Sequence, residues 1–386
     1  MDTIPFFIYG YLEFVLNILK GLEEIRNPII YINGITIRVI GDPHIGKSFK
    51  QGVPKDILGK REQMSLDLLK ELLHSNVNYI IIVGDLFDKF QVDVTTFYKV
   101  LMLLEEASKN NPNTKFIFLN GNHDLSKESE KISSFQLLQN YIDRHQDISN
   151  IRVILSKQEE PILKLSDEGI ALGLFHYNPF MSIDEEYTDD ELQIDSVLYP
   201  IKIAFGHWET IDFNSDVFIN RQVPIKVLKY FDYVVTGHEH RPKVTITNNV
   251  PILTVGSMLP YAFSEQLDVE EHVNYYTLSI QDINKVLEHD INYFENTCVR
   301  ILIAKDSTED VPEFKCLSKT FKNIKGKESN TDNESEGSST TCDSVTSFSN
   351  SLYTFVEESE ELFKDNVPFI ADLIEAFNTK NYKEAK

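Results

Sequence analysis

Five short segments, GDPHIG (41–46), GDLFD (84–88), GNHD (121–124), FGHWE (205–209) and TGHEH (236–240), each bring acidic, amide or imidazole side chains to the end of an apolar run. Any one of them is a weak signal. An Asp after a strand is often a helix cap, and a lone His on an apolar background is more often a satisfied core residue than a ligand. All five together, in this order, are not explained by capping. From Ile35 onward the apolar runs ITIRVI, NYIIIV, KFIFLN, IRVIL, IALGLF, IKIAF, YVVTG and PILTV alternate with amphipathic stretches such as Asp56 to His74. That alternation predicts an α/β domain. Such a sheet gathers its chemistry where the carboxyl ends of the strands meet loops, which is where the five segments fall.

Hydrolysis of a phosphodiester needs a hydroxide at neutral pH and positive charge near a phosphorus gaining negative density. Two divalent ions about 3.5–4 Å apart supply both. They require a bridging carboxylate and a mixed set of nitrogen and oxygen ligands. The segments contain that inventory. Asp42 and His44 are two residues apart and can reach one ion if the chain bends at Pro43; His238 and His240 repeat the spacing.

Composition bounds the rest. The chain has 386 residues, 42% of them apolar, enough for one large domain or two modest ones. Its formal net charge of −23 argues against a broad basic surface. Cys298, Cys316 and Cys342 show no CxxC spacing or disulfide framework and read as reduced thiols of a cytoplasmic protein. The apolar stretch from Phe6 to Leu19 is broken by Glu13 and is shorter than the roughly 20 residues of a membrane span. It predicts a helix docked on the protein or on a partner rather than a membrane span, with a membrane-surface role as the alternative. Beyond Leu267 helix signals fade, and NYYTLSI and CVRILIA suggest a small β-containing domain. KESNTDNESEGSSTTCDS has the composition of a flexible linker. After it, Leu352, Phe355, Val356 and Phe363, then Ile370, Leu373, Ile374 and Phe377, recur at helical spacing. These stripes predict either a docking element for another protein or helices folded back on the main domain.

The order GDxH, GDxxD, GNHD, GH, GHxH resembles the calcineurin-like metallophosphoesterase signature. The resemblance implies that Asp42, His44 and His240 hold one ion, that Asn122, His207 and His238 hold a second, and that Asp85 bridges them. It implies that His123 contacts the phosphate and protonates the leaving oxygen, with Asp88 orienting it as a catalytic dyad. His176 competes with His207 for its place, and the Gly-His context and the spacing before GHEH favour His207. Within the superfamily, VGSMLPYAFSE resembles the GSxxPxxFxE signature of SbcD-type nuclease subunits, through Gly256, Ser257, Pro260, Phe263 and Glu265. Asp88 stands where eukaryotic and archaeal counterparts carry histidine, which makes the chain more similar to a bacterial or bacteriophage form.

That resemblance implies a four-layer α/β sandwich with a small α+β capping domain and a helical C-terminal tail. The expected divisions are an N-terminal helical extension (1–34), a nuclease domain (35–266), a capping domain (267–326), a linker (327–350) and a partner-binding tail (351–386). The implied activity is hydrolysis of DNA, exonucleolytic on duplex ends with endonucleolytic cleavage of single strands as a second mode, using two divalent ions, manganese foremost. The implied partners are DNA, an SbcC-like ATPase bound by the C-terminal helices, and a second copy of the chain. Small phosphodiesters, or DNA-end binding without catalysis, are the alternatives. The basic cluster Lys47, Lys50, Lys55, Lys60 and Arg61 reads either as DNA-phosphate contacts or as a solvated helix entrance.

Overall fold

The computed structural model describes residues 26–126, 131–210, 222–267, 271–304 and 310–324. The expected N-terminal helix, the linker and the helical tail lie outside the described residues. Among those described, the chain divides into two compact units, one of residues 26–47 and 65–258, the other of 48–64 and 259–324.

The first unit is mixed α/β and carries two sheets. One has five strands in order β1 (Ile29–Ile32), β2 (Ile35–Ile40), β3 (Tyr79–Val83), β4 (Lys115–Leu119) and β5 (Ile151–Ile154), parallel except for the β1–β2 hairpin. The other has six, ordered β10 (Lys243–Thr247), β11 (Val250–Thr254), β9 (Tyr233–Thr236), β8 (Ile201–Gly206), β7 (Ile170–Leu174) and β6 (Ile162–Leu165). Its four inner strands are parallel and both edges antiparallel. All eight apolar runs of the sequence are strands. The connection between β2 and β3 runs through α1 (Lys60–Leu73), four residues later than the pattern from Asp56 suggests. Lys55–Ile57 forms a 3-10 turn instead, and Gly59 at φ +86° separates it from the helix.

The two sheets face each other across one core. Val39, Ile81, Val83, Ile117 and Leu119 from the first pack with Leu172, Leu174, Ile203, Phe205, Val235 and Leu253 from the second. Each fully buried Val, Leu or Ile stabilises the fold by about 1.5–3 kcal/mol. The outer face of the six-stranded sheet is covered by α4 (Ile183–Glu186), α5 (Asp189–Leu192) and α6 (Ile225–Tyr230), through Ile183, Tyr187, Leu192, Val227 and Phe231. On the five-stranded side, α2 (Val94–Asn110) and α3 (Ser134–Ile142) turn Leu101, Leu104, Phe135 and Leu138 inward. Helix, sheet, sheet and helix make the expected four layers.

The second unit holds a three-stranded parallel sheet, β12 (Asn274–Ser279), β13 (Thr297–Ala304) and β14 (Ser318–Ile324), with α7 (Ile280–His289) crossing from β12 to β13. Ile280, Ile283, Phe294, Val299 and Ile301 form its core. Residues 48–64 belong to it: Lys319 donates its N–H to the Gly52 carbonyl at 2.8 Å, and the Arg61 guanidinium lies 3.7 Å from the centre of the Phe49 ring. No helix among the described residues is long and apolar enough to cross a membrane.

Candidate metal centre

Each of the five segments leaves the carboxyl end of a strand, three from the five-stranded sheet (β2, β3, β4) and two from the six-stranded sheet (β8, β9). Main-chain bonds join the first two: the His44 N–H donates to the Asp85 carbonyl at 2.9 Å and the Ile45 N–H to that of Leu86 at 2.9 Å. The third is tied to the second by Asp124, whose carboxylate accepts N–H groups from Gly121, Leu86 and Phe87 at 2.9, 3.2 and 3.0 Å. His123 donates its N–H to Asp85 Oδ1 at 2.8 Å. Across the sheets, the Val83 carbonyl accepts from His207 Nδ1 at 2.9 Å, and Asp42 Oδ1 from the His238 N–H at 3.1 Å.

These ties converge seven of the predicted side chains. His44 Nε2 and His240 Nε2 face each other at 3.0 Å. His207 Nε2 stands 3.0 Å from Asn122 Oδ1 and 3.1 Å from His238 Nδ1. Between the two groups lies Asp85 Oδ2, 3.8 Å from His44 Nε2 and 3.5 Å from His207 Nε2. Asp42 Oδ1 is 3.4 Å from His207 Nδ1. The ligand atoms of Asp88 and His123 also come within 4.8 Å of one from His44, so Asp88 is a further donor beside the first group. Facing imidazole nitrogens satisfy each other only when one carries a proton, whereas a cation uses both lone pairs. This donor set of imidazoles, carboxylates and one amide therefore fits a pair of divalent ions.

The floor is buried and the rim open: Asp42, His44, Asp85 and His207 are inaccessible, while His123 is exposed. Burial drives Asp42 up to about 7, against the pull of His207. It drives His44 down to about 2. For Asp85 burial is opposed and outweighed by His207, His44 and His123, which hold it below the usual carboxylate range. Burial is outweighed at His207 too, where Asp85, Asp42 and the Val83 carbonyl raise it to about 9. Buried carboxylates balanced by an imidazole proton form a setting in which a cation can take the proton's place.

The His123–Asp88 pair and Arg61 sit otherwise than the sequence suggests, while His176 stays out of the centre as the favoured reading had it. His123 Nδ1 donates to the main-chain carbonyl of Asp88 at 2.6 Å, while the Asp88 carboxylate pairs with Lys47 Nζ at 3.1 Å. The rival His176 stays outside the cluster, buried beside Glu186 at 3.2 Å and pushed down to about 4 by burial. Arg61 does not reach solvent as a phosphate contact would. It is buried in the second unit, bonded to the Tyr275 hydroxyl and 3.5 Å from the Pro260 carbonyl. Lys50 and Lys55 of the same segment are exposed, and Lys60 reaches Asn296 Oδ1 at 3.4 Å.

The calcineurin-like phosphoesterase family profile matches residues 35–242, more than half of the chain, and spans all five segments. The chain belongs to this family. It is accordingly a metal-dependent phosphoesterase, a hydrolase that uses divalent cations. No curated protein matches the sequence. Similar solved structures include a phosphopantetheinyl hydrolase from Mycobacterium tuberculosis, 14% identical over 57% of this chain and 89% of that one, TM-score 0.33. GAP50, the anchor in the inner membrane complex of Plasmodium, is 16% identical over 57% and 71%, TM-score 0.35. The nuclease MPE from Pseudomonas putida is 17% identical over 59% and 85%, TM-score 0.25.

Within this calcineurin-like centre, the sequence reading missed residues that hold ligands without being ligands. Arg26, in the span read as a helical extension, donates to the carbonyls of His240 at 2.9 Å and Ser257 at 3.1 Å. Ser257 donates its own N–H to the same His240 carbonyl at 3.0 Å, which gives the GSM segment its place behind the last ligand. Nothing in the local pattern around Arg26 marks it, because its partners are more than 200 positions away. Glu209 lies inside a quoted segment and meets His238 Nε2 at 2.8 Å.

Proposed function

We propose that the chain is a two-metal nuclease of the SbcD type, hydrolysing DNA phosphodiesters in a complex with an SbcC-like ATPase. The observation that carries the two-ion reading is the position of Asp85 Oδ2 between His44 Nε2 and His207 Nε2. In this reading Asp42, His44 and His240 hold one cation, Asn122, His207 and His238 the other, and Asp85 bridges them. When bound, the two ions supply the acidity that makes water a nucleophile at neutral pH and the charge that steadies the phosphoryl oxygens. His123, exposed at the rim and fixed through Nδ1 to the Asp88 carbonyl, protonates the leaving oxygen from Nε2. Such a general acid contributes about 10²–10⁴-fold. Manganese is the ion that the SbcD resemblance favours.

DNA as substrate is supported by GSMLPYAFSE and by Lys47 beside Asp88; Lys50, Lys55 and Lys60 follow in the same segment as further candidates for backbone-phosphate contact. The ATPase would be engaged by the tail, 351–386. A second copy would pack on α2 and α3, where Val94, Tyr98, Ile132 and Leu137 are exposed and Gln91 Nε2 donates to the Ile132 carbonyl at 3.0 Å. The deciding assay uses end-labelled linear duplex DNA with Mn²⁺ or EDTA, with and without an SbcC-like ATPase and ATP, on wild type and His123→Ala. Mn²⁺-dependent release of nucleotides by wild type, lost in H123A with metal binding retained, is the expected result. Hydrolysis of a small phosphodiester without cleavage of DNA under any condition would remove the DNA assignment and leave the family activity.

A further inference from the structure

We propose that Glu209 is a positioning residue for the centre, setting which nitrogen of His238 faces the second cation. The inference rests on His238 being a ligand. Glu209 Oε1 lies 2.8 Å from His238 Nε2, while His238 Nδ1 is turned toward His207 Nε2 at 3.1 Å. An ionised carboxylate accepts and cannot donate, so this contact places the ring proton on Nε2 and leaves the Nδ1 lone pair for the ion. The backbone of Glu209 is itself fixed. Its carbonyl accepts the Val223 N–H at 3.2 Å, and the preceding Trp208 donates its N–H to Thr236 Oγ1 at 2.7 Å. The two loops exchange carboxylates, since Glu239, between His238 and His240, accepts from the Thr210 N–H at 3.3 Å and hydroxyl at 3.0 Å. His207 and His123 are oriented instead by main-chain carbonyls, of Val83 and Asp88. Among the described residues, His238 is the one of these three imidazoles whose outer nitrogen is held by a side chain, so a substitution can remove the contact. His238 also sits at φ +75°, a conformation that persists only when its surroundings over-determine it.

The test is titration of the metal-free full chain with Mn²⁺, read by calorimetry and by the electron paramagnetic resonance of unbound Mn²⁺, with the melting temperature of the metal-free protein alongside. Wild type should bind two ions. Glu209→Ala should weaken one of them about 10–100-fold, leave the other unchanged and leave the metal-free melting temperature unchanged. Glu209→Gln, which retains an acceptor oxygen, should fall between the two. Loaded with Co²⁺, E209Q should show a displaced d–d absorption band, a ligand-field effect that loss of packing alone does not produce. Binding of both ions by E209A as in wild type would overturn the proposal. So would equal weakening of both with a lowered metal-free melting temperature. Wild type binding fewer than two ions would instead overturn the two-cation reading on which the proposal rests.

Discussion

Asp42, His44, Asp85 and His238 have φ of 39°, 44°, 49° and 75°, so four of the seven candidate ligands occupy the left-handed region that non-glycine residues avoid. Each such residue costs on the order of 1–3 kcal/mol, and the contacts between loops hold them there. Gly84, at φ +103°, belongs to the same strained turn, and a Cβ there would lie 2.2 Å from His207 Nδ1. Gly84→Ala is therefore expected to displace His207 and to lower the Mn²⁺-to-protein ratio after gel filtration from two toward one, together with the melting temperature. Asp88 gives the opposite expectation. Because His123 is bonded to its carbonyl and not its carboxylate, Asp88→Ala should cost far less diester hydrolysis than the roughly 10²–10⁴-fold of a missing general acid. Measuring kcat for D88A beside H123A checks this, and equal losses would place the Asp88 side chain in the dyad after all.

At the level of elements, the inner strands and the parallel edge strand β5 announce themselves and the antiparallel edge strands do not. β3, β4, β7 and β9 are near-continuous apolar runs because parallel strands between layers are covered on both faces. β1, β6 and β10 are antiparallel edges with half-exposed faces, and periodicity alone passes over them. β1 lies inside residues 1–34, the span read as a helical extension. A turn signal marks it nonetheless: Asn33 and Gly34, at φ 43° and 82°, form the two-residue connection that suits hairpin twist. A Cβ at Gly34 meets nothing within 4 Å, so Gly34→Ala isolates the backbone cost. The expected loss is about 1–2 kcal/mol, seen as a melting temperature lower by a few degrees with metal stoichiometry unchanged.

For the whole molecule, α2 presents Val94, 84% exposed, and Tyr98, 59% exposed, and α3, tied to α2 through Tyr141 and Glu105, presents Leu137, 48% exposed. If a second copy covers this face, Tyr98→Glu with Leu137→Glu should convert a dimer to a monomer in sedimentation velocity while both cations still bind. An unchanged sedimentation coefficient would rule this face out as the dimer contact. The acidic net charge of −23 does not bear on the centre itself, where Asp42, Asp85 and Asp124 are buried among histidines and main-chain N–H groups. Charge far from the site governs encounter with a polyanion instead, so if DNA is the substrate, the salt dependence of cleavage should fall when the exposed Lys50 and Lys55 are replaced.

The sequence alone determined the family, eight of the strands and the inventory of the centre, because each ligand lies within a few residues of a strand end and short motifs are local. His207 over His176 was also legible, through the glycine before it. Only the tertiary structure decided which groups orient those ligands: Arg26 behind His240, the Val83 carbonyl behind His207, Glu209 behind His238 and the Asp88 carbonyl behind His123. It also decided that Arg61 packs beneath Phe49 and beside Tyr275 and does not face solvent. The physical reason is the same in each case. A hydrogen bond or a ring contact is made by groups adjacent in space, and between Arg26 and His240, or Arg61 and Tyr275, the chain passes through many elements whose packing no local pattern encodes.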